Sequence, residues 1–193
     1  MVRYELVIAA DLENVSTLQL MGGLQDPNFR YFFKLECESC GLVTDKESWV
    51  CLNKQVLVPK INRYVHLHQK CRGCEREGII KMVPIPLQKD PEWRRWDEAS
   101  PYTEAHYRRG WPVPLMKFEC EGLEPIDFVL KDGPHWRVES KSGMVYKNVD
   151  LSGGDWAEWD EKMNAPVAIT NFRWGPQVVK GWPWPWYRTR YWK

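Results

Sequence analysis

Apolar residues along this chain recur mostly at every second position, the spacing of strands that turn one face to a core. Tyr31-Phe-Phe-Lys-Leu-Glu-Cys37 alternates in this way, and so does His66-Leu-His68-Gln-Lys-Cys71. The pattern predicts strands over Tyr4–Leu12, Arg30–Cys37, Glu47–Asn53, Tyr64–Lys70, Ile79–Val83, Lys117–Glu121, Asp127–Lys131, His135–Ser140, Val145–Leu151 and Ala168–Phe172. Gly, Pro, Asn or Asp separates most of them, as in all-β sandwiches and barrels. Helical spacing is scarce. The one helix predicted is Asp155–Lys162, with Asp155 as cap, Glu158 at capping-box spacing and Pro166 limiting its extension.

A faint repeat organises these strands. Leu12-Glu-Asn-Val15 matches Leu123-Glu-Pro-Ile126, and Phe33–Val43 resembles Trp136–Val145 if Cys40 is skipped. The expected fold is mostly β, with two related β units, as a sandwich or paired barrels, around a pseudo-dyad. Residues 1–83 form the first unit and 115–173 the second. Between them, residues 84–114 are an irregular segment rich in Pro, Trp and Arg, and such a segment is unusual in a compact domain unless functional or disordered. Residues 174–193 are an extended tail, because its Trp-Pro alternation forbids a helix.

The chemistry lies in two cysteine pairs. Cys37-Glu-Ser-Cys40 is followed, after 30 residues, by Cys71-Arg-Gly-Cys74. Zinc binds four such thiolates tetrahedrally, and each C-x-x-C turn supplies two from one side. Each pair falls at a strand-to-turn junction, with Gly41 and Gly73 expected to provide positive φ. Four thiolates close the coordination sphere, so the site reads as one structural Zn2+ rather than a catalytic one, and as a site that retains its metal. His66 and His68 read as residues at the surface or beside the metal ligands without joining them, and Cys51 and Cys120 as small buried hydrophobes. In the second unit Ser140 stands near the place of Cys37, so that unit is expected to lack metal.

Composition changes this picture little. Net charge is +1, but the six basic and no acidic residues from Lys162 onward leave a mildly acidic body with a basic tail. Met1-Val-Arg-Tyr-Glu-Leu-Val-Ile opens in strand alternation rather than a signal sequence. No stretch approaches the roughly 18 to 20 apolar residues of a membrane span. A reducing, intracellular and by default cytoplasmic setting is expected, with mitochondrial or other organellar assembly left open.

At these residues the chain resembles the eukaryotic CXXC-motif-containing zinc-binding proteins, formerly described as a domain of unknown function. The resemblance rests on Leu12-Glu-Asn-Val15, Lys34–Gly41, Lys70–Cys74, Phe118-Glu-Cys-Glu-Gly-Leu-Glu-Pro-Ile-Asp-Phe128 and Trp156–Lys162. It implies a mostly β protein with internal two-fold similarity and one zinc on Cys37, Cys40, Cys71 and Cys74. It implies no assigned enzymatic activity. Segment 84–114 and the tail depart from the family pattern.

The expected function is that of a zinc-stabilised, non-enzymatic binding or adaptor protein, in its strongest form an accessory subunit of a larger assembly. Trp93, Trp96 and Trp111 of the irregular segment, and Trp182, Trp184, Trp186, Arg188 and Arg190 of the tail, are the candidate partner contacts, since aromatic and Arg side chains anchor interfaces. A homodimer is a further option. Two alternatives remain: stacking of those aromatics on single-stranded nucleic acid, and metal handling. Asp155, Glu158, Asp160 and Glu161 read as a solvated helix face.

Overall fold

A computed structural model describes residues 1–86, 100–129, 131 and 135–178. The strands among these are β1 (Val2–Glu13), β2 (Val15–Leu20), β3 (Tyr31–Cys37), β4 (Ser48–Val50), β5 (Val56–Val58), β6 (Arg63–Val65), β7 (Leu67–Lys70), β8 (Glu77–Val83), β9 (Tyr102–Thr103), β10 (Val113–Glu121), β11 (Leu123–Val129), β12 (Trp136–Ser140), β13 (Val145–Val149), β14 (Trp156–Asp160) and β15 (Ala165–Val178). One short α-helix, α1 (Glu104–Arg109), and a 3-10 turn at Pro59–Ile61 join them among the described residues. The fold is mostly β, as the alternation predicts.

A six-stranded sheet runs in the order β14-β15-β1-β10-β8-β7. A three-stranded sheet (β11-β3-β4), a four-stranded sheet (β13-β12-β2-β9) and a small β5-β6 hairpin complete the architecture. β1 and β2 form one nearly continuous run, broken only at Asn14 (φ 55), where the chain leaves the large sheet for the four-stranded one. Gly122 (φ 75) marks the matching break between β10 and β11, where the chain leaves the large sheet for the three-stranded one. Exchange β1 with β10, β2 with β11, β3 with β12, β4 with β13, β7 with β14 and β8 with β15. The large sheet then keeps its order, and β11-β3-β4 becomes β2-β12-β13.

Alternation explains the core. In β3 every second residue from Tyr31 to Cys37 is buried. β1, flanked by β10 and β15, is buried on both faces from Tyr4 to Ala10. One hydrophobic cluster links the three larger sheets through Leu6, Leu18, Phe33, Phe118, Trp136 and Ile169, among others. Phe118 meets Tyr31 and Phe33 edge-on, at centroid distances of 5.8 and 6.0 Å. Such pairs add to the value of the area they bury.

Three sequence expectations are corrected here. Residues 155–162 are not a helix: Trp156–Asp160 is an edge strand paired with Ala165–Ile169 of β15. Residues 100–114 are not irregular throughout. They hold β9, α1 and the start of β10, with the Thr103 amide bonding His106 Nδ1 and Gly110 closing the helix in the left-handed region. Residues 174–178, read as the start of the tail, end a core strand, where the Trp174 indole N–H donates to the Phe128 carbonyl at 2.8 Å.

Candidate metal centre

Alternation that packs β3 also aims its last residue, Cys37, inward. The turn beyond it is closed by Gly41 N–H on the Cys37 carbonyl and Cys37 N–H on the Leu42 carbonyl, both at 2.9 Å. Gly41 has φ +71, as expected. The second knuckle caps the β7–β8 hairpin, whose pairing runs to Lys70 opposite Glu77. Cys71 N–H donates to the Arg76 carbonyl at 2.8 Å. Here the left-handed residue is Glu75 (φ 57), not Gly73. Gly73 matters instead for space, since a Cβ there would lie 3.1 Å from Leu42 Cδ2 and 3.6 Å from Cys40 Sγ.

The two knuckles face each other. Cys37 Sγ lies 3.6 Å from Cys74 Sγ, and Cys40 Sγ lies 3.5 Å from Cys71 Sγ. All four sulfurs fall within 4.8 Å of one another. A tetrahedron with zinc–sulfur bonds of about 2.3 Å has edges of about 3.8 Å, so the four sulfurs fit one zinc ion. An Arg76 guanidinium bond to Ser39 Oγ (2.8 Å) also ties the knuckles together. Glu38 fastens the first knuckle to the β10–β11 turn through Gly122 N–H on its carboxylate (2.9 Å) and its own N–H on the Gly122 carbonyl (3.2 Å).

The electrostatics favour metal. Amides of Ser39 and Cys40 donate to the Cys37 sulfur and bring its pKa down to about 6. Amides of Cys74 and Gly73 lower Cys71 likewise. Cys40 moves the other way, to about 12: the Leu42 amide favours its thiolate, but the bond to Cys71, partial desolvation of the sulfur and the neighbouring Cys74 and Cys37 thiols outweigh that. Four thiolates this close cannot all ionise alone, and a divalent cation removes the conflict.

Cys37 and Cys71 are buried, Cys74 is half-buried and Cys40 is exposed. One of the four ligands therefore borders solvent. His66 is not a surface residue. The strand breaks at this position, and its ring is buried, with Nδ1 accepting the Met82 amide at 2.9 Å. His68 Nε2 lies 3.5 Å from Glu77 Oε2. Neither histidine joins the cysteine cluster. Cys51 and Cys120 are buried as read, and burial pushes the Cys120 thiol well up.

Of the candidate partner contacts, Trp111 is 46% exposed with the Arg109 guanidinium 4.9 Å from its ring centre. Trp93, Trp96, Trp182, Trp184, Trp186, Arg188 and Arg190 lie outside the described residues. Two features escaped the sequence reading. The β5–β6 hairpin exposes Leu57 and Tyr64, and Asp160 is wholly buried rather than on a solvated helix face. No helix among the described residues is long and apolar enough to cross a membrane.

The profile of the family described as eukaryotic CXXC motif containing zinc binding protein matches residues 5–176. A UPF0587 protein of Drosophila melanogaster is 34% identical over 176 residues, covering 89% of this chain and 94% of its own. The CXXC motif containing zinc binding protein of Homo sapiens is 29% identical over 165 residues, covering 85% and 91%. The crystal structure of C1orf123 superposes with a TM-score of 0.71 at 26% identity, over 92% of this chain and 99% of that one. A hypothetical protein from Plasmodium falciparum shares the fold, with a TM-score of 0.67 at 22% identity over 93% and 100%.

Proposed function

The chain belongs to the eukaryotic family of CXXC motif containing zinc binding proteins, and from that premise we propose that it is a zinc-stapled binding or adaptor protein, an accessory subunit of a larger protein assembly. The observation that carries this reading is the apolar surface of the β5–β6 hairpin. Val56, Leu57, Ile61 and Tyr64 are 37%, 45%, 46% and 62% exposed there. Lys60 of the same hairpin bonds Glu77 at 3.0 Å, which holds it beside the second knuckle. Leu57 and Tyr64 are direct cross-strand partners, so their exposed side chains share one face of the hairpin. Exposed apolar side chains gathered on one small element mark a contact site, and the metal fixes the end of the fold that presents it.

Size-exclusion chromatography of the full-length protein in cell lysate tests the proposal. Wild type is expected to elute well above its 22.9 kDa, and a Leu57→Ser/Tyr64→Ser variant to return to the monomer position with its zinc intact. Elution of wild type as a monomer would overturn it.

Exposed Cys40 favours a second reading, metal handling, since a solvent-facing thiolate is where an acceptor ligand would attack. Its signature is transfer of zinc to a mild chelator within minutes while far-UV circular dichroism stays unchanged. Retention of the zinc over hours would remove this reading.

A further inference from the structure

Asp160 is wholly buried, yet among the described residues it lies in no ion pair and it is no part of the cysteine cluster. Its Oδ2 accepts the hydroxyls of Ser140 (2.5 Å) and Ser142 (2.6 Å). Its Oδ1 accepts the amides of Lys162 (2.9 Å) and Met163 (3.2 Å). Four donors thus converge on one carboxylate. Burial opposes its charge, and these donors outweigh it, holding the carboxyl below its usual range.

Its surroundings match the metal centre position by position. Cys37 ends β3 opposite Leu123 of β11, and Ser140 ends β12 opposite Val15 of β2. Gly41 N–H bonds the Cys37 carbonyl, and Gly143 N–H bonds the Ser140 carbonyl at 3.1 Å. Both glycines have positive φ, +71 and +80. On the other side, Cys71 N–H bonds the residue five positions on, Arg76, and Asp160 pairs with the residue five positions on, Ala165. The fourth position after each is left-handed: Glu75 (φ 57) and Asn164 (φ 50). The amides two and three residues after Cys71 favour its thiolate, just as those two and three residues after Asp160 bond its carboxylate.

We propose that the second half of the chain carries a metal-free knuckle pair, with Asp160 in the place of Cys71, Ser140 in the place of Cys37, and the carboxylate acting as the hub that zinc provides in the first half. A carboxylate saturated by two hydroxyls and two amides leaves no donor set for a soft cation. The two ends of the molecule are then fastened by different chemistries, one removable by a chelator and one not. The inference stands apart from the adaptor reading and survives its failure.

Native mass spectrometry and amide hydrogen exchange on full-length Asp160→Ala test it. Expected are one zinc per chain, as in wild type, and a loss of protection at the Met144, Lys162 and Met163 amides of roughly tenfold or more, the worth of one charge-assisted hydrogen bond. Protection at Gly41 and Cys71 is expected to hold. Should this variant fail to fold, Ser142→Ala removes a single hydroxyl and is expected to weaken the same three amides with zinc retained. A second metal ion in wild type, a zinc lost with Asp160, or unchanged protection at those amides would overturn the proposal.

Discussion

Replacing Gly122 with alanine places a methyl group where two backbones already meet. Gly122 has φ +75, and a Cβ built there lies 2.8 Å from the Glu77 carbonyl oxygen and 3.2 Å from the Gly78 Cα. The left-handed conformation costs an alanine about 1–2 kcal/mol. The contact is with backbone, which cannot rotate away, and overpacking of that sort adds about 1–3 kcal/mol. The expected loss is therefore about 2–5 kcal/mol, or roughly 4–20 °C in melting temperature for a chain of this size. Gly110→Ala provides the control. Gly110 has φ +64 but nothing within 4 Å of the new Cβ, so only the conformational cost applies. Urea unfolding of the zinc-loaded proteins reads both. Because Glu38 bonds Gly122 through side chain and main chain, Gly122→Ala is also expected to release zinc at lower chelator concentration, and Gly110→Ala is not. Equal destabilisation by the two variants would refute the close approach of the β10–β11 turn to β8.

Tyr102→Phe removes a hydroxyl that donates to the buried Ala10 carbonyl at 2.9 Å, and is expected to cost about 1–3 kcal/mol by urea unfolding, since that acceptor is left unpaired. Phe118→Ala empties the centre of the aromatic cluster and is expected to cost about 3–5 kcal/mol by the same measurement. Burial holds the His66 pKa below its ordinary value, so the unfolded chain takes up a proton first, near about pH 6.5. Stability is then lost as pH falls below that point and levels off below the folded pKa. His66→Gln is expected to show a smaller drop in unfolding free energy than wild type between about pH 7.5 and about pH 5.5.

The features legible in the sequence were those whose cause is local. Four cysteines in two C-x-x-C turns state their own chemistry, and the Tyr31–Cys37 alternation survives unchanged as burial. The Trp156–Asp160 strand was not legible. Its Asp155 and Glu158 imitate a helix start, and only pairing with Ala165–Ile169, supplied by the large sheet, decides otherwise. Helix α1 is too short to show a period, although Thr103, His106 and Gly110 are the signals that could have marked its ends. The repeat was visible between Phe33–Val43 and Trp136–Val145. The match of Leu12–Val15 with Leu123–Ile126 lies three residues out of step with the structure, where the bend residues Asn14 and Gly122 align Val15 with Leu123. Asp160 was unreadable because its partners Ser140 and Ser142 lie about twenty residues away, joined to it only by the fold.

X-ray absorption at the zinc edge, with metal content measured on the same sample, tests the central claim most directly. One zinc per chain with four sulfur neighbours at roughly 2.3 Å is the expected result, and Cys37→Ser is expected to lose the ion and destabilise the β3–β8 end of the fold. Nitrogen or oxygen in the coordination sphere of the wild-type protein, or a Cys37→Ser variant with unchanged zinc content and unchanged melting temperature, would contradict a closed four-cysteine site that holds the fold together.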